Sequence, residues 1–489
     1  MSKCCSRTGR WHFALDWRYR RARSRFSDRR NPVLHTHSDP ISTLVDPVTR
    51  SVKPTSHWSS AIAQRYALEL SPQWVQWFDQ LAPEGICDGE FCEPAHPEVL
   101  LEVTPEVIWP GLMPPDLLPV VSNALGDWLC ARVGADNRIA EVVYWYHGGG
   151  DCLPYGNSIA EAMVYDALAT RFPGRARSLA IPAQLPPQPA RGPLLDRPAI
   201  RWALQQLPPA VAEVFEPDFP VPHTAARLLQ CGVAEIAIRC DLVLAALDNE
   251  VRRRMTPQLA ALLDARWEQD VVQWMFDPSS MPPAVAQRLA EHWQLPPQQW
   301  QQQDWELAVE HCQRVADSRS DLAWAHDILG WAAQRKGDRH EAIDHYRRGA
   351  LASLFTDQAV RFRTHFDSDR YGKFAVARLA DLEALTVLDP AYVQTLAVHA
   401  SPADREATGW RESVCRYWLR KAHTTAVDAA AERYQCLYRA GWDVGCDSIR
   451  CYEHLLTELA VAAEAAGQSA RAQLARAHRD CLRGRYLID

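Results

Sequence analysis

The segment VVYWYHGGGD, residues 142–151, carries the most chemically suggestive spacing in the chain. An apolar run ends in His147 and is followed by Gly148, Gly149 and Gly150. Successive glycine amides after a strand can converge on one point, an arrangement that stabilises an oxyanion during acyl transfer. That chemistry also needs a serine on a sharp strand-to-helix turn, in the pattern G-x-S-x-G, with an acid and a histidine behind it. The chain contains no G-x-S-x-G. Its nearest approach, Gly156-Asn157-Ser158-Ile159-Ala160, follows the glycines too soon for a separate strand–turn–helix. His147 therefore reads as a strand-end residue, Gly148–Gly150 as a turn, and the protein as non-enzymatic.

Fourteen cysteines and seventeen histidines are the other residues with metal or redox chemistry. No C-x-x-C pair exists, which removes zinc ribbons and thioredoxin-type motifs. Cys87/Cys92 and Cys446/Cys451 are each five apart, but neither has a Cys/His second half. Scattered thiols in a chain this long read as small buried residues of a reduced cytoplasm. His340 and His345 are five apart and do not share a helix face, and His311 and His326 lack partnered carboxylates. Neither a Walker-type phosphate loop nor a dinucleotide fingerprint is present. The expectation is no metal and no cofactor. Arg252-Arg253-Arg254 reads as an exposed helix end.

The elements that would position these residues fall into two groups. Ala61–Leu70 reads as a helix, and Pro72 opens a second one carrying Trp74, Val75, Trp77 and Phe78. Strand-like runs follow at Val99–Val103, Val107–Trp109, Leu118–Ser122, Asp127–Val133 and Ile139–His147, separated by proline- and glycine-containing turns. The last two, joined by Gly134-Ala135-Asp136-Asn137, form an antiparallel hairpin, and Ser158–Thr170 follows as a helix. The fold class expected for residues 51–172 is α+β, a small, mostly antiparallel sheet with flanking helices. Residues 173–222 hold twelve prolines, so 173–224 reads as a Pro-rich linker. Residues 225–489 read as an all-α region, with helices at Thr256–Trp274 and Lys373–Leu388.

The text of residues 56–170 resembles the SUKH superfamily, which includes fungal cell-wall-synthesis regulators and many bacterial immunity proteins against polymorphic toxins. The residues that carry the likeness are LSPQWVQWF at 70–78, Gly126-Asp127-Trp128-Leu129, Val143-Tyr144-Trp145-Tyr146-His147 and the Ser158-led helix. The resemblance implies a binding module without catalytic residues that holds a partner protein against a sheet-and-loop surface. Trp128, Tyr144, Trp145 and Tyr146 are large, rigid side chains of the kind that anchor interfaces, and Asp127 and Glu141 would meet a basic toxin surface. On a half-buried strand about half of these aromatics would instead face the core. The same His-Gly-Gly-Gly looks like the oxyanion loop of the hormone-sensitive-lipase branch of α/β-hydrolases, a third reading that lacks its serine elbow.

A second resemblance lies in AWAHDILGWAAQRKGDRHEAIDHYRRGA, residues 323–350, which is similar to a tetratricopeptide repeat. Leu329-Gly330 takes the leucine–glycine slot, Gly337 ends the first helix, Ala342 takes the close-packing slot and Tyr346 the aromatic one. A weaker copy lies at 452–482, with Leu459-Ala460, Gly467 and Ala472. The repeat's geometry implies that Trp324, Asp327, Trp331 and Gln334 line a concave, peptide-binding side of the first helix. The alternative is that the two tryptophans pack against a preceding helix.

Composition bounds the partners. The 489 residues carry a net charge of −7, with 47% hydrophobic and 23% charged residues, which excludes wholesale disorder. No uncharged apolar run approaches the ~20 residues of a membrane span, so no membrane partner is expected. Residues 1–30 hold ten basic and two acidic residues, a charge of +8, leaving −15 for the remainder. Residues 1–50 read as a solvated, disordered basic tail, the one place where nucleic acid could bind. The expected whole is a cytoplasmic protein-binding protein, most concretely an immunity protein whose partner is a secreted toxin domain. The alternative is a tetratricopeptide-type scaffold or a regulator of cell-wall or stress functions.

Overall fold

Five antiparallel strands run in spatial order β1-β2-β3-β4-β5, a meander with every neighbour in sequence also a neighbour in the sheet. The computed structural model describes residues 57–87, 89–172, 194–254, 281–293, 305–355, 371–397, 409–426, 428–446 and 448–487. The expected tail at 1–50, the linker over 173–193 and the helix at Thr256–Trp274 lie outside them.

Helix α1 (Trp58–Tyr66) and α2 (Pro72–Gln76, with proline at its first position) precede the sheet. Strand β1 is only Glu93–Pro94, and α3 (Pro97–Leu101) follows. The expected strand at Val99–Val103 is thus corrected to a helix. Pro97 opens it, and His96 Nδ1 accepts the Glu98 amide at 3.3 Å. The run Val107–Trp109 is coil beyond a tight turn in which the Ile108 amide returns to the Pro105 carbonyl at 3.2 Å.

Strands β2 (Leu117–Ser122), β3 (Trp128–Val133) and β4 (Ile139–Trp145) match the apolar runs. Pro119 lies inside β2 beside a bulge between Pro119 and Val121, where a missing ladder donor is tolerated. Strand β5 (Cys152–Gly156) was not legible, because Pro154 breaks the pattern; it is tolerated on an edge strand. Helix α4 (Ile159–Ala167) is capped by Ser158, whose Oγ accepts the Glu161 amide at 3.2 Å.

The linker reading fails for 194–223. Helix α5 (Pro198–Gln205) buries Ala199, Ile200 and Ala203, and a 3-10 turn over Pro209–Phe215 buries Val211, Val214 and Phe215 in the same core as the sheet. Prolines at the first positions of helices remove no bond the helix needs. Helices α6 (Thr224–Gln230) and α7 (Glu235–Arg254) continue from that core.

The rest of the described chain is helical: α8 (Pro283–Trp293), α9 (Glu306–Ser318), α10 (Ala323–Lys336), α11 (Arg339–Leu351), α12 (Phe374–Asp381), α13 (Pro390–Ala397), α14 (Trp410–Thr424), α15 (Ala430–Trp442), α16 (Ile449–Ala465) and α17 (Ser469–Tyr486). The expected helix over Lys373–Leu388 stops at Asp381, and Pro390 starts a new one. Hairpin α10–α11 turns at Gly337, φ +82°, and α16–α17 at Gly467, φ +74°, the left-handed values glycine adopts without penalty. A Cβ on Gly330 would stand 2.7 Å from the Tyr346 ring, so the missing side chain sets how closely α10 and α11 approach.

Sheet and helices are not two separate parts. His57–Asp489 forms one compact unit. One face of the sheet (Leu118, Leu129, Ala131, Val142) joins the core with α1, α4 and α5, and Ala470, Leu474 and Ala477 of α17 enter it. The other face (Leu117, Cys130, Val143, Trp145) packs with Met113 in a second, smaller core. Polar latches tie the helices to the sheet. Arg132 on β3 pairs with Asp116 at 3.1 Å, Glu141 at 3.1 Å and Asp321 at 3.2 Å, and Arg319 also pairs with Glu141. The hairpin-turn residue Asn137 accepts the Ala470 amide at 2.9 Å, capping α17 from outside its own sequence.

Candidate binding face at the open end of the sheet

Strands β3 and β4 stand side by side with Trp128 opposite Trp145 and Leu129 opposite Tyr144. The turn before β3 and the turn after β4 therefore share one end of the sheet. The first is built by Asn123, whose Oδ1 accepts the amides of Leu125 at 2.9 Å and Asp127 at 3.1 Å. Gly126 has φ +109°, and a Cβ there would meet His147 Nδ1 at 3.1 Å. Glycine is required at that position for both conformation and approach.

Asp127 is the hub of this end. It accepts from the Tyr144 hydroxyl at 2.8 Å, from Asn123 Nδ2 at 3.0 Å and from the His147 amide at 3.1 Å, and lies 2.6 Å from His147 Nδ1. Burial works to raise its carboxyl, but the hydrogen bonds and charge of His147 and the bond from Tyr144 outweigh it, so it sits below the ordinary carboxylate value. Burial, and Asp127 beside it, push the Tyr144 hydroxyl far above its usual range. A carboxylate on Nδ1 fixes the imidazole, and the histidine side chain is 40% exposed. Tyr146 is half-buried with its ring 5.6 Å from His147, the Trp109 ring is 6.5 Å away, and Leu125 of the neighbouring turn is 47% exposed. Together Tyr146, His147, Trp109 and Leu125 form an aromatic and apolar surface on a rigid base.

The oxyanion arrangement is not formed. The amides of Gly149 and Gly150 both return to the Tyr146 carbonyl, at 3.5 and 2.8 Å, and close a turn. Ser158 Oγ is engaged as the α4 cap. The hydrolase reading thus loses two amides of its loop, and its nearest serine has a structural task.

The structure places the ten sequence-nominated residues differently from one another. Asp127 is buried and acts through His147 and Tyr144. Trp128 is half-buried between the two sheet cores. Glu141 is engaged by Arg132 at 3.1 Å and by Arg319. Tyr144 packs edge-on to Phe91 at 5.2 Å and Tyr155 at 6.1 Å. Trp145 is wholly buried in the small core of Met113, Leu117, Cys130 and Val143, with the Trp109 ring 5.9 Å away. Trp128, Tyr144 and Tyr146 are each half-buried, and Tyr146 lies beside His147 with its ring 5.6 Å away.

The concave-groove reading of α10 is overturned. Trp324 is wholly buried, Asp327 and Trp331 nearly so, and the Trp331 ring stacks 4.9 Å from Trp305, which opens α9. Gln334 accepts from the Tyr346 hydroxyl at 3.0 Å inside the hairpin. The tryptophans pack against the preceding helix, the alternative left open above. Residues Ala323 to Ala333 are buried without interruption, so α10 is a central helix with no free face. The all-round apolar text AWAHDILGWAA was the signal for this.

His147, a strand end by its sequence, is the more exposed member of the Asp127 pair. Among the described residues, no helix is long and apolar enough to cross a membrane. No protein-family model, curated protein or solved structure matches the chain.

Proposed function

We propose that this chain is a non-catalytic protein-binding protein that recognises its partner with Tyr146, His147, Trp109 and Leu125 at the open end of the sheet. The observation that carries this reading is the Asp127–His147 pair, which fixes an exposed imidazole among aromatic rings on a two-sided, buried sheet. Rigid aromatic groups on such a base lose little entropy on binding and supply the anchors that dominate interfaces. The resemblance of the Gly126-Asp127 and Tyr144-to-His147 segments, adjacent in one sheet as it requires, supplies the most concrete occupant: a secreted toxin domain, neutralised by steric occlusion. The charge of −15 outside residues 1–30 favours a cationic partner and a salt-sensitive association rate. The helical half acts as a buttress in this reading, since its nominated groove is filled.

The test is capture of partners by the full-length chain and by Tyr146→Ala/His147→Ala, with quantitative mass spectrometry. Expected is a basic partner whose recovery falls at least tenfold in the variant and in high salt. A partner retained equally by both chains would remove this face from the proposal.

A further inference from the structure

Three thiols distant in sequence meet where α14, α15 and α16 converge. Cys415 lies within α14, Cys446 in the turn after α15, and Cys451 in the first turn of α16. Their Sγ atoms all lie within 4.8 Å of one another, and those of Cys415 and Cys451 are 3.4 Å apart. Cys415 and Cys446 are buried, and Cys451 is half-buried, leaving a route from solvent. A disulfide joins two sulfurs about 2.05 Å apart and would leave the third unused. Three sulfurs each about 2.3 Å from one shared ion stand about 3.8–4.0 Å from each other, within the span these three occupy.

The turn that carries two of them is preformed. Gly445 adopts φ +85°, the Cys446 amide donates to the Tyr452 hydroxyl at 3.1 Å, and Ser448 Oγ accepts the Cys451 amide at 3.2 Å. Cys451 therefore sits in the capped first turn of a long helix, where free amides favour a negative sulfur.

We propose that Cys415, Cys446 and Cys451 bind one zinc ion as thiolates, with water in the fourth position, and so clamp α14 to the α15–α16 turn. Thiolate sulfur selects a soft or borderline cation, and a three-sulfur set with one further ligand suits tetrahedral zinc. Binding releases one proton for each sulfur that enters as a thiol, and no electron is transferred.

The reduced, metal-stripped full-length chain should be titrated with cobalt(II), then zinc(II). The expected result is a thiolate-to-cobalt charge-transfer band saturating at one equivalent, bleached by zinc, with protons released. Cys451→Ala and Cys415→Ala should each weaken zinc binding at least 100-fold, while Cys231→Ser, in the turn after α6, should not. No charge-transfer band from wild-type chain that is folded by circular dichroism would overturn the site without reference to any variant. So would equal zinc affinity in Cys451→Ala.

Discussion

Asp443, at the end of α15, is the residue whose removal should damage the helical half most. It is 1% exposed and accepts from the Tyr392 hydroxyl at 2.7 Å, from Trp418 Nε1 at 2.9 Å and from the Lys373 ammonium. Lys373, 2% exposed, also donates to the carbonyls of Ala350 at 2.9 Å and Ala352 at 2.8 Å, at the end of α11. One carboxylate therefore joins α11, α12, α13, α14 and α15. Asp443→Ala leaves a buried ammonium without its counter-charge, which costs about 3–5 kcal/mol. It also orphans the buried Trp418 indole N–H, at about 1–3 kcal/mol before relaxation, while the Tyr392 hydroxyl keeps the Ala350 carbonyl at 3.4 Å. These terms overlap, and a loss of about 5 kcal/mol is expected. With about 2.1 cal/mol/K of unfolding entropy per residue over the His57–Asp489 unit, that is a fall of about 5–6 °C in Tm. Lys373→Met should cost less, because two neutral donors still serve the carboxylate. The double variant Lys373→Met/Asp443→Ala should recover at least ~2 kcal/mol relative to the sum of the two single losses, since no charge remains buried. Calorimetry or urea unfolding of the three chains measures this coupling. A drop below ~1 °C for Asp443→Ala, or strictly additive losses, would refute the argument that this pair organises the array.

Three other perturbations test different parts of the fold. Burial pushes His478 and His326 down to about 4 while their unfolded counterparts titrate near 6.5. The unfolded chain therefore binds more protons between those values, so stability is full above about pH 6.5 and falls as pH drops toward 4. The loss is about 2 kcal/mol for each histidine at pH 5. His478→Gln should flatten the decline measured by melts at pH 7 and 5, and an unchanged slope would count against it. Gly330→Ala should destabilise by about 1–3 kcal/mol through overlap with Tyr346, despite alanine's better helix propensity. Thermal melts showing a gain in stability would mean that the α10–α11 spacing is loose. Asn137→Ala should remove about 1 kcal/mol of cap from α17, read as roughly fivefold faster amide exchange at its first turn.

The legible parts of this protein are those set by near neighbours. Gly134 to Asn137 announced the β3–β4 hairpin, Ser158 the start of α4, and Gly337 the turn of α10 into α11. The misread parts share a different cause. Val99–Val103 looked like a strand because its apolar residues outvoted Pro97, and β5 was missed because Pro154 is harmless only on an edge. Residues 194–223 looked like a linker because proline was counted without asking whether each one opens a helix. Trp145, Trp324 and Trp331 were nominated for a surface because nothing in their own segments says what covers them.

By itself the sequence determined the kinds of element, their order and many of their ends, because turn and cap preferences act over about four residues. It also placed Asp127 and His147 at the neighbouring ends of two runs that must pair, just beyond the strands themselves. Only the tertiary structure decided that Arg319 reaches Glu141 beside Arg132, that Met113 and Trp109 close over Trp145, and that Cys415 joins Cys446 and Cys451. Those outcomes depend on contacts between positions far apart in the chain. Burial and close sulfur approach are properties of the packed assembly, to which no local spacing rule corresponds.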